Sequence, residues 1–126
     1  MRKIILNILF LILLNLFGIT CFSQTTTSKI EDESMKATLY SKYKNQVRAY
    51  SIKDFDALFF EFFKESKDAS KILTKEEFYT YTIKIAIYSE KQGLLYKSKK
   101  DEATSTKEEW FSKNYTDYLA TKNSKN

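Results

Sequence analysis

The chain contains no histidine and no proline, and it has two glycines and one cysteine in 126 residues. Without histidine it lacks the commonest general base and the commonest metal ligand. Without proline, and with so little glycine, it cannot supply the breakers that a turn-rich sandwich or barrel needs. Collagen-like, glycine-rich phosphate-cradling and disulfide-scaffold architectures are excluded on the same grounds. What remains is a single-domain length rich in lysine, glutamate and aromatic rings, with 21 Lys+Arg against 16 Asp+Glu.

The N-terminus has the three parts of a secretory signal peptide. Arg2 and Lys3 are positive, residues 4–19 are almost wholly apolar, and Cys21 and Ser23 place small side chains at alternate positions before Gln24. The apolar stretch is shorter than the roughly 20 residues a membrane-spanning helix needs. Cleavage is therefore expected between Ser23 and Gln24, giving a signal peptide of 1–23 and a single helical domain of 24–126. Cys21 offers a second possibility, attachment of a lipid, although the Gly18, Ile19 and Thr20 before it depart from the usual run at such sites. Cleavage after Ser23 removes the single cysteine, so the exported chain forms no disulfide. It also removes two cations and no acid. All the remaining cations except Arg48 are lysines, interleaved with glutamate, which describes solvated helix faces and not the clustered basic stripe of a nucleic-acid binder.

Beyond residue 23 the pattern predicts an all-α, up-down bundle of about four helices, over 29–50, 52–66, 75–97 and 105–120, with polar termini. Residues 24–27 read as a polar tail. Ser28 and Glu31 have capping-box spacing, and Leu39, Tyr43, Val47 and Tyr50, with Tyr40 alongside, form one face. Ser51 caps the next helix, where Ile52, Phe55, Leu58, Phe59, Phe62 and Phe63 share an arc and Phe60 lies off it. Thr74 and Glu77 open a helix that is apolar or tyrosine-bearing around most of its circumference, which predicts a central position. Its alternation over 82–87 also suits a strand, but a lone strand would have no partner in this chain. Gly93 is expected inside this helix, with Leu94, Leu95 and Tyr96 in phase with its buried positions. Residues 98–104 read as a connector and Ser105 as the last cap, before Trp110, Phe111, Tyr115, Tyr118 and Leu119 on one face. The block Thr74, Lys75, Glu76, Glu77, Phe78, Tyr79 recurs at 106–111. The match stops at the cap and has no third copy, so two helix starts explain it better than a stacked repeat.

Chemistry-bearing patterns are sparse. Residues 66–77 resemble a degenerate EF-hand loop, with Asp68, Ser70, Leu73 and Glu77 at ligand or apolar positions. The resemblance fails at Ser66 in the first position and at Lys71, where the sharp turn needs glycine. An interhelix linker followed by a capped helix is the simpler account. Glu61, among five phenylalanines, would suit a raised-pKa general acid if buried, and its alternative is an exposed pair with Lys64. Asn114, Tyr115 and Thr116 fit a glycosylation acceptor pattern. No nucleophile, base and orienting group stand out together.

Seven of the ten Phe, all nine Tyr and the single Trp lie beyond residue 23. That is more ring than four short helices need for a core, and surplus Tyr, Trp and Phe favour partner anchoring. Phe60 is the first candidate anchor, followed by Tyr79 and Tyr40. The sequence thus leads to the expectation of a small exported protein of a bacterial envelope, periplasmic or extracellular, without cofactor or metal. It would act non-catalytically by binding another envelope or secreted protein, in the manner of an inhibitor, immunity protein or accessory subunit. Nucleic acid is not expected as a partner, and a membrane only if Cys21 is lipidated. The competing expectations are a carboxylate-dependent enzyme or binder acting on cell-wall glycan, and a lipid-anchored surface protein.

Overall fold

A computed structural model describes residues 20–124, which form five helices and no strand. Helix α1 spans Thr20–Arg48, α2 Ile52–Lys67, α3 Lys75–Leu95, α4 Lys100–Ser112 and α5 Tyr115–Asn123, with a 3-10 turn at Lys97–Lys99. The all-α class expected from the pattern is observed. The apolar part of the proposed signal segment lies outside the described residues. The described chain divides after Ser34, and all packing discussed below lies within the part that begins at Met35.

Two starts follow local side-chain chemistry. At α2, the Ser51 amide donates to Asp54 Oδ2 at 2.8 Å and the Asp54 amide donates to Ser51 Oγ at 3.2 Å. At α3, the Thr74 amide donates to Glu77 Oε2 at 2.8 Å and the Glu77 amide to Thr74 Oγ1 at 3.2 Å. Both are complete capping boxes, satisfying amides that no helix turn reaches.

Helix α3 is central, with Phe78, Tyr79, Ile83, Ile85, Ala86, Ile87 and Tyr88 all buried. Its buried hydroxyls are satisfied inside the helix: Thr82 donates to the Tyr79 carbonyl and Ser89 to the Ile85 carbonyl. Helix α2 lies antiparallel to it, Phe55 stacking on Tyr88 (4.1 Å between centroids) while Phe62 meets Phe78 and Tyr81. Leu39 and Val47 of α1 join the same core. Lys36 is buried too, its Nζ 5.2 Å from the Tyr79 ring centroid and 5.9 Å from that of Phe111, where the negative ring faces favour a cation.

Gly93 does lie inside α3. A Cβ built there would stand 2.9 Å from the Ala103 Cβ of α4. The two smallest side chains therefore meet where the helices approach most closely, and that approach requires Ala103 to be already helical.

Several boundaries differ from expectation. Helix α1 does not begin at Ser28 but runs from Thr20, through residues that contain no glycine or proline to break it. Residues 98–104 are not a connector: α4 starts at Lys100, so Ser105 and Thr106 sit inside a helix, with Thr106 Oγ1 donating to the Glu102 carbonyl. The two similar blocks thus differ in role, since Thr74 caps and Thr106 does not. The last helix is broken at Lys113. Asn114 accepts the Thr116 amide through its side chain (2.7 Å) and starts α5 afresh. The break redirects the chain across α3, where the Tyr115 amide donates to the Tyr79 hydroxyl and the Tyr115 hydroxyl donates to the Leu73 carbonyl. The Leu73 amide in turn donates to the buried Tyr118 hydroxyl.

Candidate functional site

Helix α2 carries five phenylalanines, and the bundle covers them unequally. Phe55 is held by Tyr88, Phe59 meets the Trp110 ring edge-on at 5.8 Å, and Phe62 meets the same ring at 5.7 Å. Phe60 points away from all of them and is 73% exposed. Phe63 was expected in the core arc but is 45% exposed, stacked on Phe59, with Lys67 Nζ 3.8 Å above its ring. Ile52, at the start of the same arc, is also exposed. Helical angle alone put Ile52 and Phe63 inside, but Ile52 lies in the first turn of α2 and Phe63 opens onto a groove.

Beside Phe63 runs an open groove of about 480 Å³ whose floor includes Phe62, Phe78, Trp110 and Tyr118. Lys67, Lys113 and Asp117 stand at its edges, and Lys113 Nζ lies 4.6 Å from the Trp110 centroid. At this groove the half-exposed Phe63 ring, an aromatic floor, and cations held over the Phe63 and Trp110 rings come together.

The other two candidate anchors are placed differently. Tyr79 is completely buried, and its hydroxyl accepts the Tyr115 amide, so it belongs to the core and offers no ring to a partner. The surplus of rings suggested it as an anchor, but it sits on the central helix, which is covered on several sides. Tyr40 is half-buried, its ring edge-on to Phe111 and its hydroxyl donating to Glu90 Oε2 at 2.5 Å.

Glu90 itself escaped the sequence reading. Arg48 Nη2 lies 3.6 Å from its Oε1 and Lys107 Nζ 3.5 Å from its Oε2, so one carboxylate links α1, α3 and α4. Glu90 is the one acid of α3 beyond its first turn and Arg48 the single arginine beyond residue 23, and these were the available signal. Burial is the largest influence on Glu90 and pushes its pKa up, but the Tyr40 hydroxyl, Lys107 and Arg48 together outweigh it and hold the carboxyl below its ordinary value. Burial, followed by the Glu90 contact, raises the pKa of Tyr40. Arg48 Nε is buried without a hydrogen-bond partner, while the Arg48 side chain remains partly exposed and faces Glu90.

Replacing Glu90 with glutamine is therefore expected to cost about 1–2 kcal/mol near neutral pH. Because the folded pKa is depressed, the contribution is fully present above the ordinary carboxylate value and is lost as pH falls through the folded one. Urea titrations of both proteins at neutral pH and in acid check this: the difference between them should shrink below about pH 4. An unchanged difference would remove Glu90 as its source.

The carboxylates singled out for chemistry are occupied locally. Glu61 is exposed and accepts a hydrogen bond from Tyr81, whose pKa is pushed up to about 12 by burial first and by Glu61 second. Glu77 serves the Thr74 cap, and the amide and hydroxyl it accepts lower its pKa, the reverse of what a general acid needs. In the loop that resembles an EF-hand, Asp68 accepts the Ser70 amide (2.9 Å) and hydroxyl (2.6 Å), while Lys71 pairs with Glu65. Asn114 is the cap of α5. Among the described residues, no helix is long and apolar enough to cross a membrane. No protein-family model, curated protein or solved structure matches the chain.

Proposed function

We propose that this protein is an exported, non-catalytic binding module, and that the outward face of α2 around Phe60 and Phe63 receives a protein partner. The observation that carries this reading is the exposure of two phenylalanine rings one helical turn apart on α2, of which Phe63 lines an aromatic-floored groove. A monomer gains nothing by leaving Phe60 in water. Buried against a partner, a ring of this kind is among the side chains that dominate interface energy. The local tasks of Glu61, Glu77 and Asp68 support a binding role over acid–base chemistry. Export rests on the charged, apolar and small-residue order of residues 1–23.

The test is capture from the cell envelope by the exported form, compared with Phe60→Ser and Phe63→Ser. Each substitution should weaken retention of the same captured protein by about 2 kcal/mol, near thirtyfold. Folding stability should change by no more than about 0.5 kcal/mol for Phe60→Ser, a surface position. Equal retention by wild type and both variants would end this assignment.

A further inference from the structure

The end of the bundle formed by the α1–α2 turn and the α3–α4 turn has a different character from the Phe60 face. The two turns lie together: Lys91 Nζ, in the last part of α3, donates to the Tyr50 carbonyl at 2.5 Å. Four large apolar side chains project here, Ile52 (69% exposed), Leu94 (68%), Leu95 (60%) and Tyr96 (54%). Leu94, Leu95 and Tyr96 were expected to continue the buried phase of α3. They lie outside because the chain reverses at Lys97–Lys99 and α4 packs back at Gly93, one residue short of them.

Directly after these side chains come Lys97, Lys99 and Lys100, all exposed, with Lys53 exposed beside Ile52 on the other turn. The carboxylates of this end are Asp54, Asp101 and Glu102, with the exposed Asp56 one turn beyond Ile52 on α2. Asp54 is held by the Ser51 amide and hydroxyl, and Asp101 and Glu102 stand in the first turn of α4, where the helix amides favour them. The exposed cations are concentrated in Lys97, Lys99 and Lys100, directly beside Leu94, Leu95 and Tyr96.

We propose that this end docks on a membrane surface bearing anionic lipid. Leucine and isoleucine enter the acyl boundary, Tyr96 sits at headgroup depth, and the lysine stems lie along the apolar side chains while their ammonium groups reach the lipid phosphates. The chemistry favours a lipid surface over an acidic protein. Three of the four projecting groups are aliphatic, whereas protein hot spots collect Trp, Tyr and Arg. The surface is separate from the Phe60 face, so either can operate without the other.

The experiment uses the full chain with Cys21→Ser, which removes the single cysteine, and a nitroxide attached at Leu94→Cys or, as comparison, at Phe60→Cys. On vesicles of phosphatidylglycerol and phosphatidylcholine the label at position 94 should become inaccessible to a water-soluble paramagnetic reagent, while the label at 60 stays accessible. A readout at one position isolates this end from any membrane affinity of residues 4–19. Combining Lys97→Glu, Lys99→Glu and Lys100→Glu should lower the immersed fraction at position 94 about tenfold or more, as each lysine near an anionic surface contributes to attraction. Three results would overturn the proposal: unchanged accessibility at 94 when vesicles are added, equal immersion on phosphatidylcholine alone, or shielding by polyglutamate but not by vesicles. The last would assign this end to an acidic protein. Circular dichroism of each variant verifies that the helices are intact.

Discussion

Replacing Phe78 with alanine is expected to remove about 3–5 kcal/mol of folding stability, the largest loss from any single truncation considered. Phe78 is buried at the junction of three helices, stacked on Tyr118 at 4.9 Å and in ring contact with Phe62 and Tyr115. Truncation leaves a cavity lined by rings that are themselves pinned. The Tyr118 hydroxyl accepts the Leu73 amide, and the Tyr115 hydroxyl donates to the Leu73 carbonyl. Such a site collapses poorly, so the cavity cost adds to the lost burial. A small domain holds roughly 5–15 kcal/mol in all, so this variant should approach the edge of folding. Thermal denaturation reads the effect at roughly 4–8 °C per kcal/mol for a domain of this size. Phe60→Ala, the same chemical change at an exposed position, should leave the midpoint nearly unmoved. A larger shift at 60 than at 78 would invert the inside and outside assigned to α2 and α3.

The second large effect has an unexpected sign. In an open helix, glycine to alanine gains about 1 kcal/mol, because alanine loses less conformational freedom on folding. At Gly93 the change is expected to destabilise by about 1–3 kcal/mol, since the new methyl would stand 2.9 Å from the Ala103 Cβ. Neither carbon is the flexible end of a side chain, so relief requires α3 and α4 to separate. Ala103→Gly introduced into the Gly93→Ala chain should recover much of the loss, and a double-mutant cycle by urea denaturation measures that coupling. Stabilisation by Gly93→Ala alone would mean that the close approach of the two helices is not required.

What the amino-acid order revealed depended on how local the physics was. Ser51 with Asp54 and Thr74 with Glu77 were legible because each pair completes its own hydrogen bonds within four residues. Ser105 offered similar chemistry and was wrong as a start, because the helix containing it is set by packing of Ala103 on Gly93, a contact the local sequence does not display. The break before Tyr115 was hidden for the same reason. Asn114 can cap, but what commits it is the distant contact of Tyr115 with Tyr79 and Leu73. Angular position placed Phe60 outside its arc, and the side chain is exposed. It failed for Phe63, which has the right phase but opens onto a groove, and for Leu94, which follows the point where α4 packs back. Tyr79 shows the converse: tyrosine invites a surface assignment, yet its hydroxyl is satisfied inside the core.

These failures bear on function, because the side chains left in phase but uncovered are those available to partners. The most direct test of the binding role places a photoreactive residue at position 60 in cells and another at Glu108, an exposed charged position on α4. Irradiation should yield one covalent adduct of discrete mass at 60 and none at 108. No adduct at 60, or the same adducts at both positions, would contradict the assignment of the α2 face as the partner's seat.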